Sequence, residues 1–181
     1  MACQHGHAGC VRLLLASPGG QSPAREGDTS PLHLAAEGGH LAAVQALLEA
    51  AGAAPAGCAD AQGQLALHLA VRRGHAGVAA ALLDALPGSV NARTAKRWTP
   101  LMYACRWGHF EVARWLLQVG ADVELASSDG RTPLSVARDG THQRIVTLLI
   151  TAGAQEEDSA AQATQCVGRR LCGAPWCAGP P

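Results

Sequence analysis

The chain has almost no aromatic side chains: Phe, Tyr and Trp together make up 3% of its 181 residues. A core built around large rings is thereby excluded, and small aliphatic residues must do the packing. Ala and Leu dominate, a composition that suits closely stacked helices better than a sheet, where β-branched and aromatic residues prevail. A surplus of one charge is also lacking. Lys plus Arg and Asp plus Glu number 14 each, so no global field draws a polyanion, and nucleic acid is not the expected partner. No apolar run approaches the roughly 18 residues of a membrane span. The opening Met1-Ala2-Cys3-Gln4-His5-Gly6-His7 lacks a basic segment followed by an apolar one. The expectation is a monomeric, soluble protein of the cytoplasm, with the nucleus as a second compartment and no insertion into membranes. Cysteine is present without a framework: the seven are an odd number, and Cys3, Cys10, Cys58 and Cys105 stand singly where a small apolar residue would serve, which predicts reduced thiols.

What is present in abundance is repetition. Gly6-His7, Gly39-His40, Gly74-His75 and Gly108-His109 recur, with Thr141-His142 in the same slot, and successive histidines lie 33, 35, 34 and 33 residues apart. Seven and eight residues after each histidine comes an aliphatic pair: Leu14-Leu15, Leu47-Leu48, Leu82-Leu83, Leu116-Leu117 and Leu149-Ile150. A third mark precedes the histidine: Ser30-Pro31-Leu32-His33, Leu65-Ala66-Leu67-His68, Thr99-Pro100-Leu101-Met102 and Thr132-Pro133-Leu134-Ser135. Ser30, Thr99 and Thr132 are suited to cap a helix, and the following proline sits at the first helical position, where its missing N–H costs nothing. The glycine before each histidine lets the chain turn, and a second amphipathic helix runs through the aliphatic pair. Gly52, Gly120 and Gly153 stand where a glycine closes that helix. In the second full unit Leu65-Ala66 replaces the hydroxyl and the proline, so that helix is expected to fray more readily. The longer steps fall around residues 53–59 and 86–89, where Pro55 or Pro87 with glycine absorbs an extra residue outside the helices.

These three marks in fixed phase resemble the ankyrin-repeat family, with its Thr-Pro-Leu-His opening, central Gly-His and Leu-Leu second helix, over about residues 2–154. The resemblance implies an all-α solenoid of helix–turn–helix units joined by short β-turn or hairpin loops. Residues 1–24 form a truncated half-repeat, in phase from the position of Leu34, Leu69 and Tyr103 and expected to be frayed. This predicts that the chain is a product of a longer array. Four repeats follow at about 25–59, 60–93, 94–126 and 127–154, and a Gly-, Pro- and Cys-containing tail, 155–181, is expected to be disordered. Cys166, Cys172 and Cys177 in that tail, with no histidine nearby and no short paired spacing, make a poor zinc set.

Catalysis is not expected. Five histidines in one repeat phase are what a structural imidazole produces, whereas a catalytic base is needed once, beside a unique nucleophile. His33 and His68 are structural too by the resemblance, and neither a phosphate loop nor a Gly-x-Ser-x-Gly elbow occurs. No cofactor, metal or small-molecule substrate is expected. The resemblance instead implies a protein partner, bound by the inter-repeat turn tips and the exposed positions of the first helices. Those slots are lopsided: Arg72, Arg73, Lys96, Trp98, Arg106, Trp107 and Arg131 fall on neighbouring ridges of one face, which suits a partner with an acidic and apolar surface. The competing expectation is that the tryptophans pack on neighbouring turns with the arginines lying along them. Trp115, on a second helix, is expected in the core. Asn91, eight residues after Leu83, is similar to the arrangement that asparaginyl hydroxylases accept in ankyrin repeats, although Ser89 stands where an acid is usual and a turn hydrogen bond explains Asn91 equally well. The expected function is a non-catalytic scaffold or adaptor. An inhibitor or regulator of an enzyme such as a protein kinase, and a substrate receptor of a ubiquitin ligase, are the alternatives.

Overall fold

The computed structural model describes residues 30–51 and 54–153, so the half-repeat 1–24, Gly52 and the tail 155–181 lie outside the described residues. Among the described residues eight α-helices follow one another: α1 (Pro31–Glu37), α2 (Leu41–Ala51), α3 (Ala66–Arg73), α4 (Ala76–Ala85), α5 (Pro100–Trp107), α6 (Phe110–Gln118), α7 (Pro133–Asp139) and α8 (Gln143–Thr151). Two 3₁₀ turns, Ala54–Gly57 and Pro87–Asn91, occupy the places where the repeat spacing is longer.

Helix starts follow the sequence marks. Backbone N–H groups of His33, Met102 and Ser135 donate to the hydroxyls of Ser30, Thr99 and Thr132, at 3.4, 3.3 and 3.4 Å. Leu65 offers no hydroxyl before α3, but its own N–H donates to Nδ1 of His68 at 3.0 Å. The imidazole thus supplies the return half of a capping box at the repeat that lacks the other half. Gly120 and Gly153, at φ 95° and 98°, end α6 and α8 in the left-handed conformation.

The first helices α1, α3, α5 and α7 pack in a row and form the inner layer, while α2, α4, α6 and α8 back them. Leu32, Leu67, Leu101 and Leu134 fill equivalent core slots, and three residues further on Ala35, Ala70, Ala104 and Ala137 are fully buried. With only a methyl group at that position, adjacent inner helices approach closely; this is how a core with few rings is packed. On the outer helices Val44, Val78, Val112 and Ile145 face inward with the first member of each aliphatic pair. The second member ranges from buried Leu83 to exposed Ile150. Trp115 packs half-buried against the core.

The recurring glycine and histidine join successive repeats. Nε2 of His75, His109 and His142 lies 3.2, 3.0 and 3.3 Å from the carbonyl oxygens of Glu37, Arg72 and Arg106, each in the repeat before. Gly39, Gly74 and Gly108 adopt φ 75°, 80° and 76°, and a Cβ on them would come within 2.6, 2.8 and 2.5 Å of those same imidazole rings. The backbone angle and the close approach both require glycine there.

Candidate functional site

The exposed ridge is built from three turn tips, 60–64, 94–98 and 127–131. Each closes by a backbone bond, from Asp60, Thr94 and Ser127 N–H to the carbonyls of Gln64, Trp98 and Arg131 at 3.0, 3.0 and 2.9 Å. The side chain at the first position of each turn accepts from within it. Asp60 takes Gln62 and Gln64 N–H, Thr94 takes Trp98 N–H, and Ser127 takes Arg131 N–H. Tips are tied to each other as well, by Ala95 N–H to the Gln62 carbonyl and Ser128 N–H to the Lys96 carbonyl, both at 3.0 Å. The row is therefore a hydrogen-bonded strip rather than a set of independent loops.

The cations chosen from the sequence divide into two groups. Arg72 and Arg73, at the end of α3, both donate to Oε1 of Glu37 at 2.7 Å. Arg73 first, and Arg72 with it, hold the Glu37 carboxyl below its ordinary range against a smaller opposing effect of burial. Arg131 reaches Asp139 at 3.3 Å, from turn tip to helix end within one repeat. Lys96 and Arg106 are exposed and have no acidic partner among the described residues. Trp98 occupies the slot of Arg131, and Arg106 that of Asp139, so tip and helix end of the third full repeat also face the same side.

The tryptophans divide in the same way. Trp98 is half-buried, its ring 5.3 Å from Tyr103, which in turn meets His68 edge-on at 5.8 Å. Burial raises the Tyr103 hydroxyl above its usual range and pushes the His68 imidazole down to about 4. Trp98 is thus an anchor that fixes its turn to α5. Trp107, at the end of α5, is 57% exposed.

Asn91 ends the second 3₁₀ turn, and its Oδ1 accepts the Asp122 N–H at 2.9 Å, tying one inter-repeat loop to the next. Nε2 of His33 and of His68 bond the carbonyls of Gln64 and Ala92 at 2.9 and 3.1 Å, so these rings too hold backbone. Among the described residues no group of three or more His, Cys, Asp or Glu is placed to hold a metal, and no helix is long and apolar enough to cross a membrane. Cys105 is a buried thiol, raised to about 12 by burial.

Sequence reasoning passed over Arg97. It stands at φ 58°, in the slot where the neighbouring turns have Gly63 and Gly130 at 69° and 75°. Its guanidinium is exposed and has no acidic partner among the described residues. The available signal was the break in a glycine column, visible once the three turns are set in phase.

The family of ankyrin repeats matches residues 1–94 and 85–160 of the chain. Similar stretches occur in the human NAD-capped RNA hydrolase NUDT12, 36% identical over 66 residues, which cover 36% of this chain and 14% of the hydrolase. Mouse Rabankyrin-5 is 41% identical over 64 residues, 35% of this chain and 5% of its own length. The human transient receptor potential cation channel subfamily A member 1 is 39% identical over 66 residues, 36% of this chain and 6% of the channel. The chain thus spans at most 14% of the length of these three relatives.

Proposed function

The chain belongs to the ankyrin-repeat family, and we propose that it is a non-catalytic scaffold or adaptor that binds an acidic and apolar protein surface through the ridge of its third full repeat. The observation that carries this reading is the pairing pattern. Arg72, Arg73 and Arg131 are engaged by carboxylates of the fold, whereas Lys96 and Arg106 are exposed without one among the described residues, beside an exposed Trp107. Arginine and tryptophan are the residues on which interface energy concentrates when their surroundings are desolvated by a partner. The regular bonding of the imidazoles to backbone carbonyls supports a structural use of histidine and a non-catalytic role.

The test is a binding measurement with a partner identified by affinity purification and then purified. Lys96→Glu with Arg106→Glu, and separately Trp107→Ala, should each weaken binding at least about tenfold, the scale of an interface hot spot. Arg114→Glu, on the outer helix α6, should leave it unchanged. Equal loss at Arg114, or none at the ridge, would place the interface elsewhere. Where the partner is an enzyme, its activity in the complex separates the scaffold from an inhibitor.

A further inference from the structure

We propose that Arg97 selects the ligand of this ridge, and that the ligand is a short acidic segment of a partner protein, two or three carboxylates next to an apolar side chain. The proposal rests on the reading that the ridge is the binding surface.

The first argument is the backbone of Arg97. A side chain in the left-handed region is disfavoured by its Cβ, and arginine, unlike asparagine or aspartate, has no short polar group to compensate locally. Glycine builds the same turn on either side, at Gly63 and Gly130. At Gly63 an added Cβ would stand 2.8 Å from the Ala95 nitrogen of the next turn, so glycine is favoured there by space as well as by backbone angle. The guanidinium finds no carboxylate among the described residues. Among the described residues no ion pair offsets that backbone cost, and residues kept in disfavoured conformations concentrate at binding sites.

The second argument is the boundary of the charge. Lys96 and Arg97 share one turn, which Trp98 anchors through Tyr103, and Arg106 with Trp107 closes α5, the first helix of the same repeat. On one side the neighbouring turn carries Asp60 and neutral Gln62, and Glu37 pairs with both Arg72 and Arg73, leaving one net positive charge there. On the other side stand Asp129 at the tip and the ion pair of Arg131 with Asp139. The ridge cations without a carboxylate partner among the described residues therefore span about one repeat, on the order of 8–10 Å, or about three residues of extended chain. A nucleic-acid backbone running along the row would meet Asp60 in one flanking turn and Asp129 in the other, whereas a short carboxylate run ends before them. Arginine presents paired donors to carboxylate oxygens, and Trp107 offers the adjoining apolar face.

The experiment measures fluorescence polarisation of labelled peptides against the full chain. The probe is a peptide with a central Glu-Asp-Glu run followed by leucines. Its Gln-Asn-Gln counterpart and a single-stranded oligonucleotide are the comparisons. The wild-type chain should bind the acidic peptide at least about tenfold more tightly than either, as expected for charge-assisted contacts. Arg97→Gly should remove most of that preference while the thermal midpoint stays level or rises, an outcome that a structural role for Arg97 does not produce. Arg97→Lys should recover only part of it. If Arg97→Gly binds like wild type while Lys96→Ala with Arg106→Ala loses affinity, the ridge stands and Arg97 is not its selector. Preference for the oligonucleotide, or equal affinity for both peptides, overturns the acidic-segment proposal and leaves the ridge to the purified-partner measurement.

Discussion

At Thr141 a β-branched residue is held at φ 59° in the slot that Gly39, Gly74 and Gly108 occupy in the repeats before it. For those glycines a Cβ would collide with the imidazole of the following repeat. Left-handed backbone costs a residue with a Cβ about 1–2 kcal/mol, partly offset by the about 0.5–1 kcal/mol of extra chain entropy that glycine loses on folding. Thr141→Gly should therefore stabilise the chain by up to about 1 kcal/mol in urea unfolding; a lower midpoint would show that the Thr141 hydroxyl, bonded to the Gly140 carbonyl at 2.7 Å, outweighs the strain. The reverse change is harsher. Gly74→Ala combines the backbone penalty with a Cβ 2.8 Å from the His109 ring and should cost about 2–4 kcal/mol. Part of that loss belongs to the contact and should disappear in a His109→Ala background, which a double-mutant cycle reads as coupling. Equal costs in both backgrounds would remove the imidazole from the explanation. The Gly-His pair is legible in sequence as a periodic mark, and the turn it makes can be inferred from it. That each glycine packs against the histidine of the next repeat is not legible there, because the contact joins residues about one repeat apart.

At the level of a single helix, α3 carries the only inner-helix start of the described residues without a capping hydroxyl, and its integrity is tied to one ring. His68 accepts from Leu65 N–H through Nδ1 and donates through Nε2 to the Ala92 carbonyl, so the neutral tautomer with hydrogen on Nε2 satisfies both partners. Burial moves its pKa from 6.5 to about 4. Between these values the unfolded chain binds more protons than the folded one, so the contribution is full above about 6.5 and is lost as pH falls toward 4. The loss amounts to about 3 kcal/mol at most across that window. Urea unfolding at pH 7, 5 and 4 should show this slope, and His68→Gln should flatten it, whereas an unchanged slope in the variant would assign it to other groups. The missing cap at Leu65 is plain in the sequence. The substitute is not, because it depends on a histidine rotamer and a carbonyl in the following loop.

For the stack as a whole, the sequence makes the architecture legible through three marks in phase, and the ridge only in outline. Seven residues share a face by register, but register is silent on which of them the fold itself uses. Glu37 pairs with Arg72 and Arg73 from about a repeat away and offsets one of their two charges, and Tyr103 packs against the half-buried Trp98, so the ridge cations without a carboxylate partner among the described residues lie in the third full repeat, where the strained Arg97 joins them. This makes Glu37 a limit on the width of the positive surface. Glu37→Gln removes the shared carboxylate and leaves Arg72 and Arg73 free beside Arg106, which should extend the field by one repeat. Glu37 and Arg72 are only partly buried and Arg73 is exposed, so solvent screens both pairs and the stability cost should be on the order of 1 kcal/mol. The association rate with an acidic partner should rise, on the order of two- to threefold at low salt, and the gain should shrink as ionic strength shortens the screening length. Stopped-flow mixing at two salt concentrations measures both effects. A rate that is unchanged at low salt would mean that a partner approaches by a path remote from α3, whereas a gain that survives high salt would point to a new direct contact in place of a wider field.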